Sequence, residues 1–340
     1  MKNAGLKFFV LAVLVSFVAR ATADTTYNLG PKTPENDLIK LRYALDEAKS
    51  GKEKKQILKK IGDGGTFIGL MTAGRLIDDK SVGKAAARAV AQIALTHKDY
   101  AGANVRELLR KAQTRVGGKT RRDIVAYLER MPSNETEFVN LFNGRDLTGW
   151  KGLVENPIKR AQMSSVELAQ KQVKADEVMR QDWKVENGLL AYVGHGYDNI
   201  CTIEQYGDFE MYVDWMLDPA GKEPDAGIYL RGTPQVQIWD TARVNVGAQV
   251  GSGGLSNNKK HADKPTVVAD NKVGIWNSFH IIMKGERVTV FLNGVKVVDN
   301  VVLENYWDRS RPIFPVEQIE LQAHGSKVYY RDIYVKRILD

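Results

Sequence analysis

From about residue 133 onward the apolar residues of this chain recur at every second position, and few folds accommodate that rhythm. Phe209, Met211, Val213, Trp215 and Leu217 alternate with Glu210, Tyr212, Asp214 and Met216. Val288, Val290 and Leu292 alternate with Thr289 and Phe291, and the dipeptide Asn293-Gly294 then supplies a hairpin turn. Ile319, Leu321 and Ala323 alternate with Gln318, Glu320, Gln322 and His324. A strand sends successive side chains to opposite faces, so each segment has one face that must be buried against a second layer. Many such strands predict an all-β, jelly-roll sandwich over 133–340. One stretch breaks the rhythm. Ser164 followed by Glu167 is a capping box, and Val166 to Arg180 then reads as a charged helix lying outside the sandwich as a flank or lid.

Upstream the spacing is helical. Leu38, Leu41, Ala44 and Leu45 fall on one helix face, as do Val82, Ala86, Val90, Ile93 and Ala94, and again Ile124, Tyr127 and Leu128. Breaks at Gly62-Asp63-Gly64-Gly65 and at Gly117-Gly118 separate them. Residues 24–132 therefore predict a small all-α domain, resembling HEAT-like helical repeats or else a small bundle. The Ala-rich helix over 82–94 calls for close packing, not for a ligand. The texture changes at Met131-Pro132-Ser133-Asn134, which places the domain boundary near 132–137.

Residues 1–23 read as a secretory signal peptide. Lys2 and Lys7 precede the apolar run Phe8 to Ala19, and Ala21-Thr22-Ala23 is a small-x-small cleavage site. The mature chain is expected to begin near Asp24 and to be periplasmic or secreted, with no membrane span and no lipid-anchoring cysteine. The one cysteine, Cys201, excludes an intrachain disulfide, a thiolate metal cluster and a thioredoxin pair, and its apolar surroundings suggest a buried structural thiol. The net charge of +8 is concentrated in the helical part. No run interleaves Arg or Lys with aromatics as a nucleic-acid platform does, so solvated helix faces account for it. A protein partner for the helical domain is not specified by the sequence.

Polar and aromatic residues gather on one predicted strand face. Tyr229 and Arg231 share one face of their strand, Gln235, Gln237 and Trp239 one face of the next, and Glu320, Gln322 and His324 one face of a late strand. Amides and a guanidinium bind pairs of hydroxyls, while an aromatic ring covers the apolar face of a pyranose. A carbohydrate-binding groove is expected there. The polar, Gly-rich loop Gly251 to His261 is expected to rim it and to bring Lys260 to the sugar. As a phosphate cradle this loop fails, because no helix follows it.

The run Phe138-Val139-Asn140-Leu141-Phe142-Asn143-Gly144-Arg145-Asp146-Leu147-Thr148-Gly149-Trp150 resembles the opening strand of the 3-keto-disaccharide hydrolase family. Further segments agree in order: Trp183 to Leu190, Tyr206 to Glu210, Ala226 to Arg231, Val236 to Asp240, Leu292 to Gly294, Leu321 to Gly325, and Tyr330 to Ile333. The resemblance covers about 138–338. It implies a concanavalin-like jelly roll acting on glycosides already oxidised to a ketone at C3, by hydrolysis or 1,2-elimination. The chain departs from the pattern in three places. It has amides at Gln235 and Gln237 where many relatives carry Glu. It has Ile275 within Gly274-Ile275-Trp276-Asn277 where relatives often carry Glu, and Asp332 where they often carry Asn.

A 3-ketone acidifies the C2 hydrogen, so such a site needs a base, a donor for the enolate oxygen and an acid for the leaving oxygen. It does not need the carboxylate pair of an ordinary glycosidase. Nor does the chain carry the Glu-x-Asp-x-x-Glu strand pattern of jelly-roll glucanases. His324 is the expected base, since histidine as a residue type exchanges protons near neutral pH. Arg231 is the expected partner of the enolate oxygen, with an ion pair to Asp240 or Glu320 as its alternative. Asp225 and Asp240 are candidate acids or partners. No cofactor is indicated by motif, and a divalent metal held by His324 with Glu320 or Asp225 remains an open alternative to Arg231. A lectin-like module without catalysis, and a helical scaffold carrying the sandwich as cargo, are the rival readings.

Overall fold

The computed structural model describes residues 29–131 and 137–339. The expected signal peptide lies outside the described residues, as does most of the expected boundary.

Six α-helices, counted among the described residues, form the first unit: α1 (Pro34–Glu47), α2 (Gly51–Gly64), α3 (Phe67–Gly74), α4 (Gly83–Thr96), α5 (Ala103–Arg115) and α6 (Gly118–Arg130). Their ends are written in the sequence. Thr33 caps α1 by accepting from the Asn36 amide, and Ser50 with Glu53 forms a reciprocal capping box on α2. Gly65, at φ 69°, takes the left-handed conformation that ends α2. Gly62 stays inside the helix instead of breaking it, because a Cβ there would come within 3.1 Å of the Ala89 Cα on α4. This close approach is the packing that the Ala-rich helix implied. Leu58, Ile61, Leu70, Val90, Ile93, Leu109 and Ile124 fill the space between the helices.

The second unit is a sandwich of two antiparallel sheets. The larger sheet is built from β1 (Val139–Asn140), β3 (Trp183–Glu186), β4 (Leu189–Tyr192), β6 (Phe209–Leu217), β9 (Asn277–Lys284), β10 (Arg287–Leu292), β11 (Val295–Val302) and β13 (Val328–Arg337). Its order is β11-β10-β9-β6-β13-β4-β3, with β1 also on β13. The smaller sheet runs β2 (Trp150–Gly152), β5 (Ile200–Thr202), β12 (Glu320–Leu321), β7 (Asp225–Leu230), β8 (Thr233–Trp239). The alternation read from the sequence holds. Phe209, Met211, Val213, Trp215 and Leu217 pack inward with Phe279, Ile281 and Met283, and against Ile228, Val236, Ile238 and Leu321 of the other sheet. This is a jelly-roll sandwich. Two helices, α7 (Pro157–Gln162) and α8 (Ser165–Asp182), lie outside it. Ser164 caps α8 by accepting from the Glu167 amide. The helix rests on β2 at Gly152, where a Cβ would fall 2.1 Å from the Ala175 carbonyl oxygen.

The helical unit docks on the outer face of the larger sheet. Phe67 of α3 packs against Phe138, Tyr212 and Tyr334 at ring separations of 4.4, 5.1 and 5.3 Å, stacked on Tyr212 and edge-on to Tyr334. Ile39 joins Leu29 and Trp276 in a smaller apolar patch. Between these patches lie buried charges. Arg42 of α1 donates to Asp214 at 2.9 Å and meets Asp332 at 2.7 Å, while Arg75, just past the end of α3, also donates to Asp332. Arg331 reaches Asp214 at 3.2 Å and lies over the Trp276 ring at 3.9 Å. Asp332 sits at φ 51° in a break of the β13 register, and this bulge turns its carboxylate out toward the helices. Burial opposes ionisation of Asp332, but Arg42, Arg75 and Arg331 outweigh it and hold its carboxyl well below the usual range. For Asp214, which faces two guanidiniums instead of three, burial wins and the shift is upward.

Arg42→Ala would take one of three guanidiniums from Asp332 and one of two from Asp214, both buried, so it is expected to destabilise the protein by about 3 kcal/mol. Urea unfolding at neutral pH measures this. Because Asp332 is depressed in the folded state, its contribution is present above the ordinary carboxyl range and lost as pH falls below it. The gap between wild type and variant should narrow in acid, and a gap independent of pH would contradict this account of Asp332.

Candidate functional site

The outer face of the smaller sheet carries the site. Strand alternation sends Ala226, Ile228, Val236, Ile238 and Leu321 into the core, so their neighbours point outward. Register fixes which neighbours meet. Gly227 pairs with Gln237, Asp225 with Trp239, and Glu320 with both Tyr229 and Cys201. Gln322 and His324 continue the same face beyond β12. Tyr229, Gln235, Gln237, Trp239, Glu320, Gln322 and His324 therefore share the one face that the sequence assigned to them, and Asp225, a candidate acid or partner, joins them there. Gly227 is the floor. A Cβ there would lie 2.9 Å from both Gln235 Cδ and Gln322 Oε1, so only glycine lets these two amides close over the strand.

Hydrogen bonds order the amides. Asp225 is buried, and its Oδ1 accepts from Gln237 Nε2 at 2.7 Å. With its nitrogen committed, Gln237 offers Oε1 to Gln235 Nε2 and to Ser256 Oγ, the latter at 2.9 Å. The other Asp225 oxygen faces His324 Nδ1 at 3.7 Å and Arg243 Nη1 at 3.8 Å. Tyr197 stands edge-on to His324, with ring centroids 5.6 Å apart. Burial raises the Asp225 carboxyl above its ordinary value, against the opposing pull of His324, Gln237 and Arg243. Glu320 is fully buried, and burial pushes its carboxyl up to about 8, with Glu317 adding to the effect and Arg160 and Asn199 opposing it. Burial thus favours the protonated form of Glu320. The Tyr229 phenol is likewise raised, by burial and by Glu320. Cys201 is a buried thiol pushed up to about 12, chiefly by burial, which suits the structural role expected of it.

Glu320 Oε2, Gln322 Oε1, His324 Nδ1 and Arg243 Nη1 are buried atoms without a hydrogen-bond partner among the described residues. All four belong to this face or its rim. Buried polar groups are normally paired, so a cluster of unpaired ones marks a place where a polar ligand completes the set.

Three expected residues are not brought into this group. Arg231 does not share a face with Tyr229. It sits at φ 48°, just past a break in the β7–β8 register, and the bulge turns its side chain between the sheets. There it donates to the Pro315 carbonyl at 2.9 Å, contacts Met283 Sδ at 3.3 Å and faces Asp208 at 3.7 Å, not Asp240 or Glu320. Asp240 lies past β8 and accepts from the Ala242 amide at 3.0 Å, which starts a turn. Lys260 is exposed, and its amide donates to Glu304. The first half of the loop expected to rim the groove is instead buried beside β8. Gly253 donates to the Gln237 carbonyl at 2.8 Å, Ser252 accepts from the Trp239 amide at 2.8 Å, and Leu255 lies in the core. Ser256, in the second half of the loop expected to rim the groove, does reach Gln237, whereas Arg243, Tyr197 and Asn199 enter the site without having been picked from the sequence. Only Tyr197 carried a signal, as an aromatic in the Gly-rich turn after β4. The metal left open on His324 with Asp225 or Glu320 would have no third ligand of these types, since no three His, Cys, Asp or Glu side chains form a metal-binding group among the described residues.

Residues 137–336 match the family described as the 3-keto-alpha-glucoside-1,2-lyase-like domain. The chain belongs to this family. The lyase-like domain spans β1 to β13 and holds every residue of the polar face, whereas α1–α6 lie before it. Among solved structures, two Parabacteroides distasonis proteins provisionally assigned as glycosyl hydrolases are similar. One is 22% identical, with 59% of this chain and 94% of that one covered and a TM-score of 0.40. The other is 20% identical, with 59% and 100% covered and a TM-score of 0.42. The carbohydrate-binding module CBM66 from Bacillus subtilis is 11% identical, with 56% and 96% covered and a TM-score of 0.34. No curated protein matches the chain. Membership of the lyase-like family makes this a carbohydrate-active domain.

The raised carboxyl of Glu320 has a thermodynamic consequence. The folded state binds a proton that the unfolded state has released, so stability falls as pH rises from about 4.5 to about 8. Glu320→Gln keeps the shape and removes the titration. Its melting temperature relative to wild type is expected to rise across that window, and a constant difference would show that Glu320 ionises normally.

Proposed function

We propose that the protein is an exported enzyme that cleaves 3-keto-glycosides by removing the C2 proton and expelling the C1 substituent. The observation that carries this reading is the His324–Asp225 pair, set on a polar sheet face within a domain of the 3-keto-glucoside lyase-like family. In this reading the imidazole of His324 takes the C2 proton, which the neighbouring ketone has acidified. Asp225, buried behind it, orients the ring and stabilises the imidazolium that forms. The C2–H electron pair becomes the enolate and then drives out the C1 oxygen, which takes back the proton held by the His324 imidazolium as it leaves. Addition of water completes hydrolysis, and its omission leaves an enone.

Arg243, on the rim beside Asp225, takes the role that the sequence had suggested for Arg231, as a donor to the developing oxyanion. Gln235 and Gln322 offer amides to ring hydroxyls, and Trp239 and Tyr229 supply ring surface at the edge. Asp225 is tied to Gln237 and Glu320 is buried beside Tyr229, so neither is free for the paired-carboxylate chemistry of ordinary glycosidases. Export is supported by the tripartite N-terminus and suits an enzyme that meets its sugar outside the cytoplasm.

A lectin-like reading draws support from the amides at Gln235 and Gln237, where many relatives carry Glu. It keeps the same face and dispenses with the base. Turnover separates the two readings. The protein is expected to cleave a 3-keto-glucoside and to leave the unoxidised glucoside intact, and product mass then tells hydrolysis from elimination by one water. Equal turnover of both substrates would overturn the 3-keto reading. His324→Ala should lose roughly 10²–10⁴-fold in kcat, the usual worth of a general base, while sugar affinity changes little. A folded His324→Ala protein with near-normal kcat would remove His324 from the mechanism.

A further inference from the structure

The net charge of +8 is concentrated in the helical unit, where the sequence alone assigns it to solvated helix faces. The fold gathers part of it into one array. α2 and α4 lie side by side and run in the same direction, with Gly51 by Ser81, Gly62 by Ala89 and Gly65 by His97. On the exposed edge of this pair Gln92 donates to Asp63 at 3.0 Å. Counting back four residues at a time from Asp63 and Gln92 follows the same edge of each helix, so Lys59 falls beside Arg88 and Lys55 beside Lys84. All four are exposed. Arg115 extends the array, since its Nη1 would lie 3.5 Å from a Cβ on Gly83, just before Lys84.

Such an array works against the fold. Like charges on neighbouring turns repel, and folding alone gains nothing by placing them together. Three carboxylates border the array, and each is already engaged. Asp63 meets Lys59 at 3.0 Å and accepts from Gln92, and Asp78 meets Lys111 at 3.2 Å and Arg115 at 3.7 Å. Asp79 accepts from the Ser81 and Val82 amides. Lys55, Lys84 and Arg88 have no carboxylate partner among the described residues. The array also lies on other helices than the two that hold the sandwich, α1 through Ile39 and Arg42 and α3 through Phe67.

We propose that this array binds an acidic polysaccharide and holds the protein against it. Rungs about 6 Å apart along each helix, in two parallel rows, suit a polymer that carries a carboxylate on successive rings. A membrane surface fits less well. Interfacial helices bury apolar side chains, whereas Val125 is the one large apolar side chain exposed among the described residues of α1–α6. A single-stranded nucleic acid fits no better, because its bases stack on aromatic rings set among the cations. The bound polymer is a tether and not the substrate, so the inference stands apart from the chemistry of the polar face.

Calorimetric titration of the whole protein with polygalacturonate, and with neutral dextran as the control, tests this. Lys55→Gln, Lys59→Gln, Lys84→Gln and Arg88→Gln together should weaken binding to polygalacturonate about tenfold, the worth of four exposed ion pairs. A second variant of equal net charge carries Lys222→Gln, Lys264→Gln, Lys272→Gln and Lys284→Gln on the sandwich, and it should stay within about twofold of wild type. Added salt should weaken the wild-type complex. The array variant should melt no lower than wild type, because removing like charges relieves repulsion. An equal loss in both variants would mean that net charge alone matters and would overturn the array. A lower melting temperature would assign the four cations to the fold and overturn it too. Binding to polygalacturonate that is absent, or no tighter than to dextran, overturns the proposal outright. Tighter binding to phosphatidylglycerol vesicles or to duplex DNA would assign the array to that partner and overturn the polysaccharide.

Discussion

The hydrogen bond from Gln237 to the buried Asp225 organises the rest of the polar face. A carboxylate can only accept, so it dictates which end of the Gln237 amide faces it. That choice leaves Gln237 Oε1 for Gln235 and Ser256, and it leaves the second Asp225 oxygen to His324 and Arg243. The amides therefore pass order along the strand from a single buried charge. Desolvation makes that charge expensive unless every neighbour serves it. Gly227 is the steric counterpart of the same arrangement, since any side chain at that point would part Gln235 from Gln322.

Much of this was legible in the sequence because it rests on period two. The alternation around Val213, Val290 and Leu321 defined both sheets. It also gave the face shared by Tyr229, Gln237 and His324, because one register error would have reversed every side chain. Arg231 failed for the complementary reason: a bulge shifts the parity, and nothing in Gly227–Gly232 announces it. Gly251–Leu255 misled through composition. Glycines that allow a backbone to lie close against β8 look the same in a sequence as glycines in an open loop. Arg243, Asn199 and Ser256 come from turns, where no periodicity indicates direction, so their arrival at the site depends on tertiary structure.

Two departures from the family pattern find a physical reason at the docking surface of the helices. Asp332, where relatives often carry Asn, is the acceptor for Arg42 and Arg75. Ile275, where relatives often carry Glu, packs into the apolar patch with Leu29, Ile39 and Trp276. An amide could hold the left-handed conformation at 332 but not neutralise two guanidiniums, and a carboxylate at 275 would give up the apolar contact with this patch. The larger sheet is thus fitted to the helices on its outer face. The smaller sheet, two layers away, keeps its outer face for the polar site, so the two surfaces answer to different demands.

The central claim is that His324 breaks the C2–H bond of a glycoside made acidic by a 3-ketone. The most direct measurement is the deuterium isotope effect on kcat/KM, with a 3-keto-glucoside carrying deuterium at C2. The account predicts that the deuterated substrate reacts severalfold more slowly, and that this effect disappears when the deuterium is placed at C4 instead. Cleavage at the same rate with hydrogen or deuterium at C2, together with retention of the label in the product, would mean that the C1 bond breaks without prior loss of the C2 proton, and would contradict it.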